Sequence, residues 1–280
     1  DLETVTSDHL DGAQAVIHAA AFVEQWGPLD AWDRINVGGT RRMLEAAGGA
    51  GVARFIHIGT EAALVRGQAL HEVGEDRPGL HGVERGDGEL GRAQALAEQA
   101  VRAANDPDRG FVTLVLRPRF IWGPGDQTLL PAILAMARAG RFAWIDHGRA
   151  LTSTTYIGNL VDAIELALTR GQPGEAYFIL DEGTRSLREM ITAMAAAADV
   201  TLPDKSIPYP VAAAVAWVCE TLWRATGRTS MPPLTRHAAM VMARECTLVG
   251  QKAARDLGYV PRVSVEEGLR ELRARLHGAG

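Results

Sequence analysis

Cysteine is nearly absent: Cys219 and Cys246 are the only two among 280 residues. Two cysteines cannot build a disulfide framework or a multi-cysteine metal site, and the scarcity suits a reducing, cytoplasmic setting. Long apolar runs are missing as well. The most apolar stretch, 211–218, meets Cys219 and Glu220 at once, well short of the roughly 20 residues that a membrane-spanning helix needs. With Trp217, Leu222 and Trp223 it reads as a buried or lid helix. There is no basic excess, since 29 Lys and Arg face 34 Asp and Glu for a net charge of −5. That balance leaves no electrostatic footprint for nucleic acid or an anionic membrane. The acidic and polar first residues lead us to expect no signal peptide, and no internal repeat appears.

What is present is an alternation of short apolar runs and helical stretches, the pattern of a parallel α/β sheet. Strands are expected at 15–20, 54–58, 111–116 and 176–180, with an extended piece at 152–157. Helices are expected at 29–50, 88–105, 129–139, 160–169 and 187–198. The first carries Ile35, Met43, Leu44 and Ala47 at helical spacing and ends at Gly48-Gly49. The second places Leu90, Ala93, Ala97 and Val101 on one side. Residues 66–87 read as a long loop, and everything beyond Pro203 as mainly helical. The last helix opens on a capping box, Ser264 with Glu267. The chain begins with Asp1, not Met, and reaches a buried-strand run within about 15 residues, as if entered partway through a domain.

Five segments carry a family signature by their order and spacing. They are Val16-Ile17-His18-Ala19-Ala20-Ala21, Asn36-Val37-Gly38-Gly39-Thr40, Arg54-Phe55-Ile56-His57-Ile58-Gly59-Thr60, Leu116-Arg117-Pro118-Arg119-Phe120-Ile121-Trp122-Gly123-Pro124-Gly125-Asp126, and Thr154-Thr155-Tyr156-Ile157-Gly158-Asn159-Leu160-Val161-Asp162. Together they resemble the extended short-chain dehydrogenase/reductases of the epimerase/dehydratase superfamily. The branch they are most similar to is the 3β-hydroxysteroid dehydrogenase-like NAD(P)-dependent oxidoreductases. The resemblance implies a Rossmann-type sheet with a smaller, mainly helical C-terminal substrate domain. It implies a nucleotide-binding domain at 1–123 and 154–181 and a substrate domain at 124–153 and 182–280.

The cofactor implied is NAD or NADP, and the residues implied to bind it are Asp1 and Leu2 at the adenine, Ala19, Ala20 and Ala21 beneath the adenosine ribose, Asn36, Gln94, and Pro118 at the nicotinamide. Small residues after a buried strand let a dinucleotide lie close to the sheet's carboxyl edge. The alternatives stay open: the alanines as core packing, Asn36 as a structural hydrogen bond, and Pro118 as a strand terminator.

Two departures from the family stand out. A Gly-x-x-Gly-x-x-Gly turn should follow the first strand and place a helix N-terminus on the pyrophosphate. No such turn follows a strand here, which leads us to expect an N-terminally incomplete sheet with its first visible strand at an edge. The second departure is internal. The family's acid/base pair is Tyr-x-x-x-Lys on one helix face, and Leu90 and Gln94 occupy its two positions. The only lysines, Lys205 and Lys252, lie four residues after Thr201 and Leu248, so no other register supplies the pair.

Thr60 matches the family's hydroxyl. It either donates to a substrate carbonyl or merely caps the following turn. His81, Glu84 and Asp87 are either stand-in acids or surface loop residues. Thr152 stands where nucleotide-sugar members carry a diphosphate-binding Arg, with Arg149 nearby. Trp122, Phe142, Trp144 and the helix around 212–223 suggest an apolar, steroid- or terpenoid-like alcohol or ketone. A non-catalytic dinucleotide- or ligand-binding relative, acting as a sensor or partner protein, is the competing function. A homodimer is compatible with the family.

Overall fold

A computed structural model describes residues 2–65, 67–77 and 89–278. Asp1, His81, Glu84 and Asp87 lie outside the described residues. The chain runs from β1 (Ala15–His18) into a π-helical turn (Asp33–Gly38) that continues as α1 (Gly39–Gly49), then β2 (Arg54–Ile58), β3 (Leu70–Gly74), α2 (Glu89–Ala103), β4 (Val112–Pro118), β5 (Ile121–Trp122) and α3 (Leu129–Arg138). It continues through β6 (Trp144–Ile145), β7 (Leu151–Thr152), β8 (Thr155–Tyr156), α4 (Ile157–Ala167), β9 (Ala176–Ile179), β10 (Arg185–Ser186) and α5 (Leu187–Ala197). The remaining elements are β11 (Ser206–Ile207), α6 (Tyr209–Ala225), α7 (Arg236–Ala243), β12 (Cys246–Val249), α8 (Gln251–Leu257) and α9 (Val265–Leu276).

The main sheet has the order β1-β2-β4-β9 and every pair is parallel, with Ile17 opposite Ile56, Ile56 opposite Leu114 and Leu116 opposite Tyr177. The inner strands are buried on both faces, as their unbroken apolar runs require: Phe55, Ile56, Leu114, Val115 and Leu116 are all fully buried. β1 pairs with β2 alone and is covered on one face only, so Val16 and His18 are buried while Ile17 is 48% exposed. This is the expected α/β architecture with its carboxyl edge facing one way.

Two expectations need correction. The stretch 66–87 is not all loop: β3 lies within it and pairs in parallel with β12, in a second sheet ordered β10-β7-β12-β3. Leu70 and Val73 are buried there against Phe178, Leu180 and Leu248. Local pattern could not show this, because the partner lies more than 170 residues away and only two apolar side chains mark the strand. The region beyond 203 is mainly helical as expected, with the short strands β11 and β12 among its helices. The helix expected at 29–50 is interrupted by the π turn, a feature that often marks a functional position.

The fifth family segment proves to be a buried polar knot. The Asp181 carboxylate at the end of β9 accepts hydrogen bonds from Trp122 Nε1 (2.8 Å), Thr154 Oγ1 (2.7 Å), Tyr156 N (2.8 Å) and Asn159 Nδ2 (2.9 Å). Asn159 Oδ1 accepts in turn from Arg262 N and Val263 N, tying in the segment before α9. The capping box forms as expected, with Glu267 N donating to Ser264 Oγ and Ser264 N to Glu267 Oε2.

His18 and His57 face each other across β1 and β2, with ring centroids 5.4 Å apart. His18 Nε2 lies 3.0 Å from Thr40 Oγ1, whereas neither ring nitrogen of His57 has a hydrogen-bond partner among the described residues. Burial pushes His18 down to about 4, and burial together with its neighbour His18 pushes His57 down to about 3. Both are neutral when folded and take up protons near pH 6.5 when unfolded. Their stabilisation is therefore complete above about pH 6.5 and is lost as pH falls toward about 4 and about 3, at about 1.4 kcal/mol per pH unit for each ring. A His57→Phe variant should be as stable at neutral pH, since the ring makes no hydrogen bond, and should lose stability less steeply in acid. Urea midpoints measured against pH check this, and an unchanged acid slope would contradict it.

Candidate active site

Because the main strands are parallel, their ends deliver side chains to one edge. Ala19 and Ala20 follow β1 and are exposed, so they form an open ledge and are not core packing; Ala21 is half-buried. Thr60 follows β2, whose ladder extends to Gly59 N donating to Leu116 O (2.8 Å). Pro118 closes β4 and is buried.

Asn36 lies in the π turn and is 1% exposed. Its Oδ1 accepts from Phe22 N (2.6 Å) and its Nδ2 donates to Phe22 O (3.1 Å). Both ends of the amide are thus engaged by one residue of the loop that follows the alanine ledge. Leu2 packs on the start of α1 so closely that a Cβ on Gly39 would come within 2.9 Å of its side chain, and its carbonyl accepts from Arg42 Nε (2.7 Å).

Thr60 does cap the following turn: Ala62 N donates to its Oγ1 (3.2 Å). Its own hydroxyl donates to Glu61 Oε2 (2.8 Å). Glu61 is 6% exposed, and its other oxygen pairs with Arg119 Nη1. Arg119, 5% exposed, is fixed further by its N–H to Thr155 Oγ1 (2.9 Å) and its Nε to Thr152 Oγ1 (3.3 Å). Burial is the largest influence on Arg119 and opposes its charge, but the charge and hydrogen bond of Glu61 together with Cys246 leave the guanidinium above its ordinary pKa. Sequence reading missed Glu61 and Arg119. Each adjoins a residue that was singled out, yet nothing local shows that two ions 58 residues apart meet.

α2 is pressed against that turn. A Cβ on Gly91 would lie 2.9 Å from Ala62 O, so glycine permits the close approach of α2 to the turn that follows Thr60. Leu90 is half-buried against a cluster of Phe22, Trp32, Val37, Ala93 and Leu96. Gln94, one turn on, is 5% exposed, and its amide makes no hydrogen bond to another described residue. A further turn along, Glu98 meets Arg117 from β4, with Nε to Oε2 at 2.8 Å and Nη2 on Oε1. Arg92 binds Asp33, joining α2 to the π turn.

The substrate side differs from expectation. Trp122, Phe142 and Trp144 are each no more than 3% exposed and pack the interiors between helices, so they do not line an open wall. Thr152 is buried on Arg119 and Ser153 O, while Arg149 is exposed and turns to Asp146 O (3.3 Å). What reaches toward the ledge instead is α6 and the segment after it. Arg224 stacks over Trp26 at 4.0 Å and donates to Gly27 O, Trp26 Nε1 donates to Arg228 O (3.2 Å), and Thr235 bonds Gln25 (2.8 Å). A cleft of about 200 Å³ lies at this junction, lined by Trp26, Pro28, Trp223 and Arg228 among others. On its outer side α6 leaves Val211, Val215, Trp217, Val218 and Leu222 exposed.

Residues 3–209 match the model of the 3-beta hydroxysteroid dehydrogenase/isomerase family. The chain belongs to that family. It is 38% identical over 262 residues to 4-hydroxy-2-methyl-3-oxo-4-farnesyl-3,4-dihydroquinoline-1-oxide ketoreductase of Stigmatella aurantiaca, covering 94% of this chain and 77% of that protein. It is 37% identical over 273 residues to 2-alkyl-3-oxoalkanoate reductase of Stenotrophomonas maltophilia, covering 94% of this chain and 80% of the relative. In fold it is similar to UDP-glucuronic acid 4-epimerase from Bacillus cereus in complex with NAD, with a TM-score of 0.73, 18% identity, and coverage of 99% of this chain and 79% of the epimerase. The Rossmann-like architecture expected from the five segments is therefore that of this family member.

Proposed function

We propose that the chain is an NAD(P)-dependent oxidoreductase by descent, directed at an apolar, steroid- or terpenoid-like alcohol or ketone, with its acid/base chemistry impaired. The observation that carries this reading is that the exposed Ala19–Ala20 ledge, Thr60 and Pro118 lie at the carboxyl ends of neighbouring parallel strands, with α2, which carries Leu90 and Gln94, packed against the turn after Thr60. The relatives named for farnesyl and alkyl ketone reduction support an apolar substrate.

The residues present fit a dinucleotide lying along the carboxyl edge of the sheet. The ledge offers open backbone without bulky side chains, and the buried Gln94 amide has donors and an acceptor to offer ribose hydroxyls. Among the described residues no strand-to-helix connection supplies the Gly-rich phosphate turn. When bound, a nicotinamide supplies the hydride acceptor or donor. This chain's residues then have to orient the substrate oxygen and manage its proton. Thr60 can hold that oxygen, but Leu90 exchanges no proton and Gln94 carries no charge. The second reading, a non-catalytic binding relative, is favoured by the packing of Leu90 into the Phe22 and Trp32 cluster.

Calorimetric titration with NAD and NADP, followed by absorbance assays over steroid and long-chain alcohols and ketones, separates the two. Binding with slow, measurable hydride transfer supports the oxidoreductase. Binding with no transfer across the whole panel supports the second reading, and no binding of either dinucleotide overturns the oxidoreductase.

A further inference from the structure

The hydroxyl of Thr60 is the polar group at the sheet edge that a substrate oxygen would meet, and its hydrogen is already engaged. A threonine hydroxyl has one hydrogen and two lone pairs. The hydrogen goes to Glu61 Oε2 at 2.8 Å, and one lone pair accepts from Ala62 N at 3.2 Å. One lone pair remains. The partner that fixes this polarity is itself fixed: Glu61 is 6% exposed and bound to Arg119, which is 5% exposed and tethered to Thr152 and Thr155. A carboxylate held by a guanidinium only accepts hydrogen bonds, so Thr60 gives up its bond to Glu61 whenever its hydrogen is turned to a ligand.

Resting on the oxidoreductase reading above, we infer that Thr60 presents an acceptor to its ligand and that the site therefore selects a hydroxyl over the corresponding carbonyl, with Glu61 and Arg119 as the positioning residues that impose this choice. A carbonyl oxygen has no hydrogen to give to the remaining lone pair, and it would face the lone pair of Thr60 directly. A hydroxyl completes the set: ligand O–H to Thr60, Thr60 O–H to Glu61, Glu61 to Arg119. This ordering makes Glu61 a determinant of which redox partner of the substrate pair is held, although it does not touch the ligand itself.

The experiment compares binding of a 3β-hydroxysteroid and its 3-oxo counterpart by calorimetry, without dinucleotide, to the wild-type chain and to Thr60→Val, Thr60→Ser and Glu61→Gln. One hydrogen bond corresponds to about a two- to tenfold difference in affinity. The alcohol should bind tighter by that factor to the wild type and to Thr60→Ser, and the preference should vanish in Thr60→Val. In Glu61→Gln an amide N–H can donate to Thr60 and release its hydrogen, so the preference should shrink or invert.

Because Glu61→Gln leaves a buried arginine without its counter-ion, a second measurement needs no ligand and no such variant. The isotope-edited infrared carboxylate band of Glu61 should shift between wild type and Thr60→Val. Tighter binding of the ketone, a preference that survives in Thr60→Val, or an unmoved infrared band would each overturn the inference while leaving the oxidoreductase reading intact. A shifted band with no binding of either steroid would instead overturn the steroid-like substrate reading and uphold the orientation of Thr60.

Discussion

Leu90→Tyr combined with Gln94→Lys should raise the rate of hydride transfer by about 10²–10⁴-fold, the range that positioned general acid/base catalysis contributes. The two positions are one helical turn apart on α2, so the new phenol and ammonium share a face, and the ammonium lowers the phenol's pKa. Gly91 against Ala62 O holds α2 against the turn that follows Thr60. The cost is local: Leu90 leaves a cluster with Phe22, Trp32 and Leu96, while a tyrosine ring retains most of its apolar contact. Single-turnover absorbance at saturating dinucleotide checks the gain. Leu90→Tyr alone should give a smaller increase, because an unassisted phenol keeps its proton at neutral pH. Equal rates in wild type and double variant would mean that another group already manages the proton.

The second large effect concerns what holds α2 in place. Glu98→Ala should destabilise the chain by about 3–5 kcal/mol, since it leaves the Arg117 guanidinium as an unpaired buried charge. Arg117 is fully buried, and its Nη1 already lacks a partner among the described residues, so little remains to compensate. Its stacking over Phe178, at 5.6 Å, cannot replace the carboxylate. Replacing both members, Glu98→Leu with Arg117→Met, should recover most of the loss, because the desolvation of both ions disappears with them. Urea midpoints of the three variants check the sequence of effects; a Glu98→Ala loss below about 1 kcal/mol would show that the pair is not buried as described.

How much of this was legible in the sequence varies with the range of the interaction. The parallel sheet was, because Phe55-Ile56, Leu114-Val115-Leu116 and Ala176 to Ile179 are unbroken apolar runs between helical stretches, and burial on both faces demands that pattern. The edge positions of Ala19, Thr60 and Pro118 followed from where those runs end. The expectation that Leu90 and Gln94 stand in place of the acid/base pair rests on spacing within one helix, and the double variant is what tests it. β3 was not, since its pairing with β12 is long-range and its own apolar content is slight. Nor were Glu61 with Arg119 or Glu98 with Arg117, because a charge gives no local sign of whether it will be buried against a distant partner. The aromatics misled for the opposite reason: Trp122 and Trp144 suggest a ligand wall by type, and only their neighbours reveal that they fill the interior.

The central claim is that this chain keeps the family's site while lacking its titrating phenol. The pH profile of hydride transfer, measured across the neutral and alkaline range for wild type and for Leu90→Tyr with Gln94→Lys, tests it most directly. The account predicts a slow wild-type rate with no ionisation of a lowered phenol, and a faster double variant that gains one. A wild type that already shows this ionisation, unchanged by the double substitution, would contradict it.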